Sequence, residues 1–520
     1  MSLLGIDVGT SGCKTVAFSE DGQALASAYR EYATQRPEPG WAELDSREVW
    51  ECVRKNIAEV AASVRNDPVG ALCVSSMGEA TTPVSLDRRV LGPCILSSDT
   101  RGSEYIRDLE RSITQEEFYG VNPNVLGVSY SLPKLLWLRQ HRPELYRQAD
   151  KFLLWADFVA FMLGCDPVTD YSLANRTLLF DIHRQDWSDQ LLALTGIERV
   201  KLPSLLPSGS LVGTVPDFVA RELNLPGNVA VVVGGHDQCC NALGAGVYRA
   251  GKTVCGIGTF ECITPAFDHI PPAAPMLANG LNTEHHVLPN LFVSFIYNQS
   301  GCLVRWFRDT FASADCRLRG SAADIYDRLA IEMPDAPTRL FALPYFDITG
   351  PPGFVDNASG VILGLKTSTS RGEILKSIME SVTFYFAESI KALKDLGIDS
   401  SEFIATGGGA KSDRWLQIKA DILGVPFVRP HITEASILGT VILAGTATGV
   451  FHSPAEGVTR FVKRDKVFEP NPHRHQLYQE KLQEYREIFP LLREFLAKHE
   501  EKELHRFVHE NRQRAEGEET

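Results

Sequence analysis

The sequence lacks a long apolar segment and lacks an excess of basic residues. No apolar run approaches the roughly 20 residues that a membrane-spanning helix needs. The first residues, MSLLGID, contain no basic region of the kind that opens a signal peptide. The formal net charge of −13 disfavours binding to nucleic acids, whose phosphates attract Lys and Arg. We therefore expect a cytoplasmic protein that binds neither membranes nor nucleic acid.

Cysteine motifs are lacking as well. The 11 cysteines are odd in number, and none of them forms a Cys-x-x-Cys pair. Cys239 and Cys240 are adjacent, so a bond between them would be strained. This pattern is typical of reduced thiols in a cytosolic protein and argues against a disulfide scaffold.

Strands separated by glycine turns open both halves of the chain. In the first half we predict strands at residues 3–7, 14–19, 23–32 and 71–75, and a helix at 46–65. In the second we predict strands at 229–233, 252–256, 261–265, 291–297, 403–406 and 426–429, with helices at 238–245, 371–396 and 415–423. One hydrophobic core rarely exceeds roughly 250–300 residues. We therefore predict an α/β fold with related domains at 1–247 and 248–480, a cleft between them, and a charged helical tail at 481–520.

The first glycine turn has the residues that phosphoryl transfer requires. That reaction needs donors around the phosphate, a metal ion and a base for the acceptor hydroxyl. Asp7 ends a strand, Gly9 allows close approach of the backbone, and Thr10, Ser11 and Lys14 add donors. Asp7 could hold Mg²⁺ through water. The same residues also fit an ordinary hairpin turn.

Two later turns leave room for a nucleotide. Residues 256–259 (GIGT) and 407–410 (GGGA) remove side chains where adenine or ribose could lie, although each also fits an ordinary tight turn. Residues 246–253 (GVYRAGKT) match the P-loop pattern. A working P-loop follows a strand and precedes a helix, whereas here a helix-like segment comes first and a strand follows. We expect no P-loop there.

Asp237 is the candidate base. It follows a buried strand, where a carboxylate can take the proton of an attacking hydroxyl. The same position equally predicts a helix N-cap. Glu79, Asp99, Arg101 and Gln238 could read the hydroxyls of a polyol, and each of them also fits an ordinary surface position.

Two long segments carry a family resemblance. Residues 129–141 (SYSLPKLLWLRQH) and 360–380 match the signature patterns of the FGGY family of carbohydrate kinases, and the resemblance extends to about residue 480. It implies two ribonuclease-H-like (actin-like ATPase) domains that close on ATP, Mg²⁺ and a small sugar or polyol. It also implies Asp237 as the catalytic base and Asp7 with Asp237 as the metal site.

The same resemblance implies which residues bind the ligands. The implied ATP-binding residues are Thr10, Ser11, Lys14, Thr259, Gly301, Gly408, Gly409 and Ala410. The implied substrate-binding residues are Met77, Gly78, Glu79, Asp99, Arg101, Tyr130, Asp237 and Gln238.

The expected substrate is a ketopentose such as xylulose. The layout resembles the xylulokinases of the family, which usually show Gln-Met-His-Gly where this chain has Ser76, Met77, Gly78 and Glu79. Glu79 is instead similar to a polyol-contacting position of glycerol kinase, and Gly78 replaces an arginine there, which predicts a larger pocket. The alternatives are a kinase of an erythritol- or glycerol-like sugar alcohol, or a non-catalytic actin-like nucleotide-binding module. A homodimer is the expected assembly.

Overall fold

A six-stranded mixed sheet forms the centre of the N-terminal half. The computed structural model describes residues 1–313, 315, 322–346, 349–355, 358–431 and 434–518. The strands of this N-terminal sheet lie in the spatial order Leu211–Thr214, Ala230–His236, Val69–Ser76, Ser2–Val8, Gly12–Phe18 and Ala24–Glu31. Three neighbouring strands are parallel, namely Ala230–His236, Val69–Ser76 and Ser2–Val8. The other pairings in this sheet are antiparallel.

The C-terminal half repeats this arrangement. Its sheet has the order Glu284–His285, Phe292–Val293, Phe260–Phe267, Lys252–Ile257, Glu402–Thr406, Phe427–Pro430 and Arg464–Phe468, and Ile296–Gln299 also pairs with Phe260–Phe267. Lys252–Ile257, Glu402–Thr406 and Phe427–Pro430 are parallel, as are the three corresponding N-terminal strands. The two sheets therefore confirm the related α/β halves predicted from the glycine turns.

Helices cover both sheets. The α-helices are Ser46–Ser63, Ser103–Ser112, Gln115–Val121, Ser131–His141, Pro143–Gln148, Trp155–Met162, Tyr171–Asn175, Asp189–Thr195, Asp217–Glu222, Asp237–Gly244, Ala273–Ala278, Gly301–Phe311, Ala322–Glu332, Arg371–Asp395, Asp413–Leu423, Ala435–Ala447, Pro454–Phe461 and Pro472–Glu518. Short 3₁₀ helices lie at Arg199–Lys201 and Gly408–Lys411. Four smaller sheets are built from Glu43–Leu44, Cys94–Ile95, Thr81–Val84 and Lys151–Leu154, from Phe180–Asp181 and Asp186–Trp187, from Val168–Thr169 and Ser204–Leu205, and from Phe341–Leu343 and Val361–Leu363.

Local sequence sets where the long helices begin. Ser370 precedes the helix Arg371–Asp395, and its hydroxyl accepts a hydrogen bond from the backbone N–H of Glu373, whose carboxylate accepts one from the N–H of Ser370. This capping box satisfies donors that the first turn leaves unpaired. The helix Ser46–Ser63 is instead capped by Asp45, whose carboxylate accepts a hydrogen bond from the N–H of Arg47.

Two helices cross between the sheets, and we call Asp237–Gly244 and Ala435–Ala447 the interdomain helices. A Cβ atom added to Gly439 would lie 2.0 Å from the carbonyl oxygen of Cys240, and one added to Gly244 would lie 1.8 Å from that of Ala435. Real Cβ atoms do not approach backbone so closely, so both positions require glycine. The crossing brings the start of the first interdomain helix, at Asp237, between the two halves.

The predicted elements are largely confirmed. The predicted strand at 291–297 differs most from the structure, which has two short strands there, Phe292–Val293 and Ile296–Gln299. Over the described ranges, no helix is both long and apolar enough to cross a bilayer. The domain bounds 1–247, 248–480 and 481–520 stay predictions, and residues 519–520 of the predicted tail lie outside the described residues.

The helix Pro472–Glu518 crosses position 480 without a break and packs onto the C-terminal half. Glu380 is fully buried and accepts hydrogen bonds from the hydroxyl of Tyr478 at 2.9 Å, from Thr338 Oγ1 at 2.8 Å and from Lys481 Nζ at 2.6 Å. A carboxylate in such a place is stable only while it is paired. The first turns of this helix are therefore part of the folded core.

Replacing Lys481 by methionine should strongly destabilise the protein. The change removes the closer of the two lysines that pair with the buried Glu380 carboxylate, since Lys376 Nζ lies 4.0 Å away; losing one partner of a buried pair costs about 3–5 kcal/mol. Lys498→Met is the matched control, because Lys498 pairs with Glu494 on an exposed part of the same helix, and exposed pairs contribute about 0–1 kcal/mol. Urea unfolding measures both. Equal stability of the two variants would contradict the structural role of Lys481.

Candidate active site

Asp237 lies where the N-terminal sheet meets the interdomain helices. It is the first residue of the helix Asp237–Gly244, and His236 occupies the cap position before it without a capping hydrogen bond from its side chain. The sequence allowed Asp237 to be the N-cap of this helix, but the N-cap is the preceding residue, His236. Ser172 Oγ accepts the backbone N–H of His236 at 2.9 Å and fixes this end of the strand.

Asp237 is surrounded by other acids. Its side chain retains 27% exposure, and burial together with the charges of Asp7 and Glu79 raises its pKa to about 8, against the opposing effect of Arg176. His236 Nε2 lies 3.3 Å from its Oδ1, and burial lowers the pKa of that imidazole well below its usual value. A neutral imidazole leaves the carboxylate without a counter-ion there.

Asp7 is held from both halves of the chain. Its Oδ1 accepts Ser75 Oγ at 2.6 Å and Ser436 Oγ at 2.9 Å. Burial raises the pKa of Asp7, and the charge of Glu434 adds to that effect. Ser75 belongs to the N-terminal sheet, whereas Ser436 belongs to the second interdomain helix. Asp7 therefore lies at the contact between the halves.

The first glycine turn presents its hydroxyls to solvent. Thr10 and Ser11 are exposed, and the turn is closed by the N–H of Gly9, which donates to Gly12 O at 3.0 Å. The hydroxyl of Tyr32 donates to Gly9 O at 2.7 Å from behind. Turn geometry is thus fixed by backbone contacts, so the hydroxyls of Thr10 and Ser11 are left for a ligand.

Lys14 does not extend freely toward this turn. Its ammonium group pairs with Glu434, directly before the second interdomain helix. The sequence gave no indication of this partner, because 420 residues separate the two positions. A phosphate-binding role for Lys14 requires that this pair open, and the role stays a prediction.

Three small-residue turns of the C-terminal half converge. The N–H of Gly301 donates to Gly258 O at 3.1 Å, and the N–H of Cys302 donates to Thr259 O at 3.1 Å, so the helix Gly301–Phe311 begins on this turn. A Cβ on Gly407 would lie 2.7 Å from Ile257 O, and one on Gly409 would lie 2.3 Å from Ile257 Cγ2. Gly258, Thr259, Gly301 and the predicted trio Gly408, Gly409 and Ala410 therefore share one edge of the C-terminal sheet.

The P-loop-like segment 246–253 is not a P-loop. It follows the helix Asp237–Gly244 and runs into the strand Lys252–Ile257. Lys252 Nζ, which would hold a phosphate in a P-loop, donates to Glu402 Oε1 at 2.8 Å. The prediction that this motif is a chance match is confirmed.

Arg176 is a residue that sequence reasoning missed. Its guanidinium donates to Glu79 Oε1, and its Nη1 donates to Glu284 Oε1 at 2.8 Å. It also lies 4.7 Å from the ring centroid of Tyr130 and 5.7 Å from that of Phe295. Arg176 follows a helix of five residues and Glu284 lies on a strand of two, so no periodic pattern connects them. We call Glu79, Arg176 and Glu284 the acid–arginine cluster.

The pocket beside Gly78 is not enlarged as the sequence suggested. A Cβ at this position would lie 3.1 Å from Arg176 Cγ and 3.1 Å from His236 Cδ2. The volume that glycine frees is thus occupied by an arginine from a distant segment. The expectation of a larger pocket is therefore wrong. Glycine at position 78 leaves out a side chain there, but the side chain of Arg176 occupies the same space.

Asp99 and Arg101 form a separate group. Arg101 Nη2 donates to Asp99 Oδ2 at 2.6 Å, Arg101 Nη1 lies 2.7 Å from Glu43 Oε1, and the guanidinium lies over the ring of Trp41 at 3.8 Å. Among the contacts of the described residues, none joins Asp99 or Arg101 to Asp237. This geometry favours a structural role, and their predicted contact with substrate stays a prediction.

Met77 and Gln238 flank the central acids. Met77 is buried and its N–H donates to Val8 O at 3.0 Å, which places it directly beyond the strand that carries Asp7. Gln238 is half-buried next to Asp237. Both positions border the space around Asp237, and their contacts with substrate stay predictions.

The fold and this site define a class of protein. The protein has the two-domain actin-like ATPase fold. Its two related sheets are joined by the interdomain helices, and both halves contribute carboxylates where they meet. Residues 2–244 match the N-terminal domain of the FGGY family of carbohydrate kinases, and residues 255–448 match its C-terminal domain. The chain belongs to this family and is a carbohydrate kinase.

Known relatives cover almost the whole chain. Xylulose kinase of Staphylococcus epidermidis is 30% identical over 501 residues, which cover 95% of this chain and 98% of the relative. Autoinducer-2 kinase of Escherichia coli is 27% identical and covers 94% of each chain. The crystal structure of xylulose kinase from Rhodospirillum rubrum has a TM-score of 0.87 at 26% identity, covering 95% of this chain and all of the other.

Proposed function

We propose that the protein transfers the γ-phosphoryl group of ATP to a hydroxyl of a small sugar, with a ketopentose such as xylulose as the first candidate. The observation that supports this most is the position of Asp237, a largely buried carboxylate between the halves, facing Asp7 and the acid–arginine cluster. The similarity to xylulose kinases favours the ketopentose. A homodimer is part of the proposal as well.

The acids fit a magnesium ion. The negative charge of Asp7 contributes to the raised pKa of Asp237, so a cation is favoured between these two carboxylates. The described residues contain no group of three or more metal-ligating side chains. Mg²⁺ commonly needs only one or two carboxylates, since waters and substrate phosphates complete its shell. Bound there, it would neutralise charge on the transferring phosphoryl group.

The residues of the chain then have distinct tasks. Asp237 accepts the proton of the attacking hydroxyl on a carboxylate oxygen and orients the hydroxyl oxygen for in-line transfer. Thr10, Ser11 and Thr259 donate hydrogen bonds to phosphate oxygens. Gly408 and Gly409 leave room for the adenosine. Closure of the two halves excludes water, which would otherwise accept the phosphoryl group.

A sugar alcohol is the second candidate substrate. Glu79 carries a carboxylate at the position that resembles the polyol-contacting glutamate of glycerol kinase, and Arg176 fills the space beside Gly78. A carboxylate can accept hydrogen bonds from substrate hydroxyls whether or not the substrate has a carbonyl group. This observation keeps four- and five-carbon alditols in the test below.

ADP release should depend on a neutral sugar. We expect xylulose, another ketose or an alditol to stimulate ADP formation in a coupled assay with ATP and Mg²⁺, because domain closure requires an occupied acceptor pocket. Thermal shift checks binding independently, since a ligand of the native state raises the melting temperature. If no compound in a panel of ketoses and alditols stimulates ADP release or shifts the melting temperature, the proposed activity is wrong.

A further inference from the structure

Arg176 is placed to control the acceptor pocket. Its side chain is 14% exposed, Glu79 is 10% exposed and Glu284 is fully buried. Burial alone would lower the pKa of Arg176, but the charges of Glu79 and Glu284 outweigh it and raise the pKa well above its usual value. The guanidinium is therefore permanently charged at the edge of the space around Asp237.

Arg176 fixes the carboxylates on either side of it. The contacts to Glu79 come from Nε and Nη2, and the contact to Glu284 comes from Nη1 at 2.8 Å. A guanidinium is a rigid planar fork, so its contacts set direction as well as distance. Asn282 Nδ2 donates to the same oxygen of Glu284 at 3.0 Å. The two glutamates therefore have one orientation relative to each other.

Glu79 has an unusual backbone. Its φ of 63° lies in the left-handed region, which residues other than glycine rarely adopt. Ser131 Oγ donates to its carbonyl oxygen at 2.5 Å and holds this conformation. Such backbone strain persists where the surroundings fix it and is concentrated at functional sites. On this backbone the Glu79 side chain contacts Arg176.

The acid–arginine cluster can accept hydrogen bonds from a substrate, but its one positive charge, on Arg176, is already paired. Both contacts of Arg176 with Glu79 fall on Oε1, and within the part of the chain that the structure describes Oε2 of Glu79 makes no hydrogen bond. That oxygen can accept a substrate hydroxyl. The guanidinium is already paired with the carboxylates of both Glu79 and Glu284. A substrate carboxylate would find no unpaired cation here.

We propose that Arg176 is a specificity-determining positioning residue. By orienting Glu79 and Glu284, it makes the acceptor pocket select an uncharged polyhydroxy compound, a ketose or an alditol, over a sugar acid of the same chain length. This inference rests on the proposed function and narrows its substrate class.

Matched substrates test the selectivity. We expect the wild-type kcat/KM for a ketose or alditol to exceed that for the aldonate of equal chain length by on the order of 10²-fold or more, because juxtaposed like charges cost several kilocalories per mole. A preference for the aldonate would overturn the inference while the kinase activity stands. Turnover of none of these compounds would instead overturn the proposed function.

Variants of Arg176 test its role. In Arg176→Gln the kcat/KM for the neutral sugar should fall by on the order of 10²-fold, since a misplacement of about 1 Å can cost that much in rate. The KM for the sugar should rise, whereas the KM for ATP stays unchanged. Arg176→Lys should recover part of the loss, because it restores the charge without the fork. Arg111→Gln is the control, since Arg111 is 77% exposed and, among the described residues, its one ion pair is with the exposed Asp108.

Folding is checked separately. If Arg176→Gln fails to melt cooperatively, Glu284→Gln replaces it, because this change keeps the shape of the side chain while weakening its contact with Arg176. It should also raise the KM for the sugar and leave the KM for ATP unchanged. An unchanged sugar KM in any folded variant of either residue would overturn the inference.

Discussion

Asp237→Asn should lower kcat by on the order of 10²–10⁴-fold, the usual loss when a general base is removed. The amide keeps the size of the side chain and cannot take the hydroxyl proton. The KM for ATP should change little if the carboxylate acts mainly on the acceptor. Steady-state ADP release with the best sugar of the panel measures both constants.

The matched control for this variant is Asp217→Asn. Asp217 is also the first residue of a helix, Asp217–Glu222, but it is exposed. It should retain wild-type activity. Near wild-type turnover by Asp237→Asn would contradict its assignment as the base and would leave the proton acceptor to another group.

The same variant should gain stability without ligands. The folded-state pKa of Asp237 is about 8, above its ordinary value of 3.8, so between these values the folded state binds more protons than the unfolded state. Stability from this group therefore falls as pH rises toward about 8. Asparagine removes this dependence. The melting temperature of Asp237→Asn, measured with EDTA, should gain on that of wild type from pH 5 to pH 8. A difference between the two melting temperatures that does not change with pH would contradict the raised pKa.

Much of the fold could be predicted because its signals are local. Glycine turns and apolar runs mark the strands around Asp7 and Asp237, and the helix Arg371–Asp395 has both an apolar stripe and a capping box. The sequence predicts one strand where the structure has Phe292–Val293 and Ile296–Gln299, because a largely apolar run does not show where hydrogen bonding changes partner. Pairing partners depend on contacts between distant segments.

The site shows the same limit more strongly. Asp7 and Asp237 could be singled out because Asp7 ends a buried strand and Asp237 follows one. Arg176 and Glu284 are separated by 108 residues, and a charged residue in a short loop gives no local sign that it will be buried. Asp99 and Arg101 were singled out as substrate-binding residues, and that role stays a prediction. Their charges suggested ligand binding, whereas the structure pairs them with each other beside Trp41.

Gly439→Ala should destabilise the protein and lower its activity together. The added methyl group would lie 2.0 Å from Cys240 O and 3.0 Å from Cys240 Cα, so the interdomain helices must separate. Overpacking a well-packed core commonly costs about 1–3 kcal/mol, and occasionally more. Here the obstacle is backbone, which cannot rotate away, and we expect a loss at or above the upper end of that range in urea unfolding.

The loss of activity should exceed what the loss of stability explains. Cys240 and Asp237 lie in one helical turn of the same interdomain helix, so a displaced Cys240 backbone carries Asp237 with it. A shift of about 1 Å in a reacting group can lower the rate by on the order of 10²-fold, and kcat of the folded fraction should fall by that order. Gly120→Ala is the control, because Gly120 lies in the helix Gln115–Val121 and its added Cβ meets nothing within 4 Å. Wild-type kcat in folded Gly439→Ala would mean that the position of Asp237 does not depend on the helix crossing.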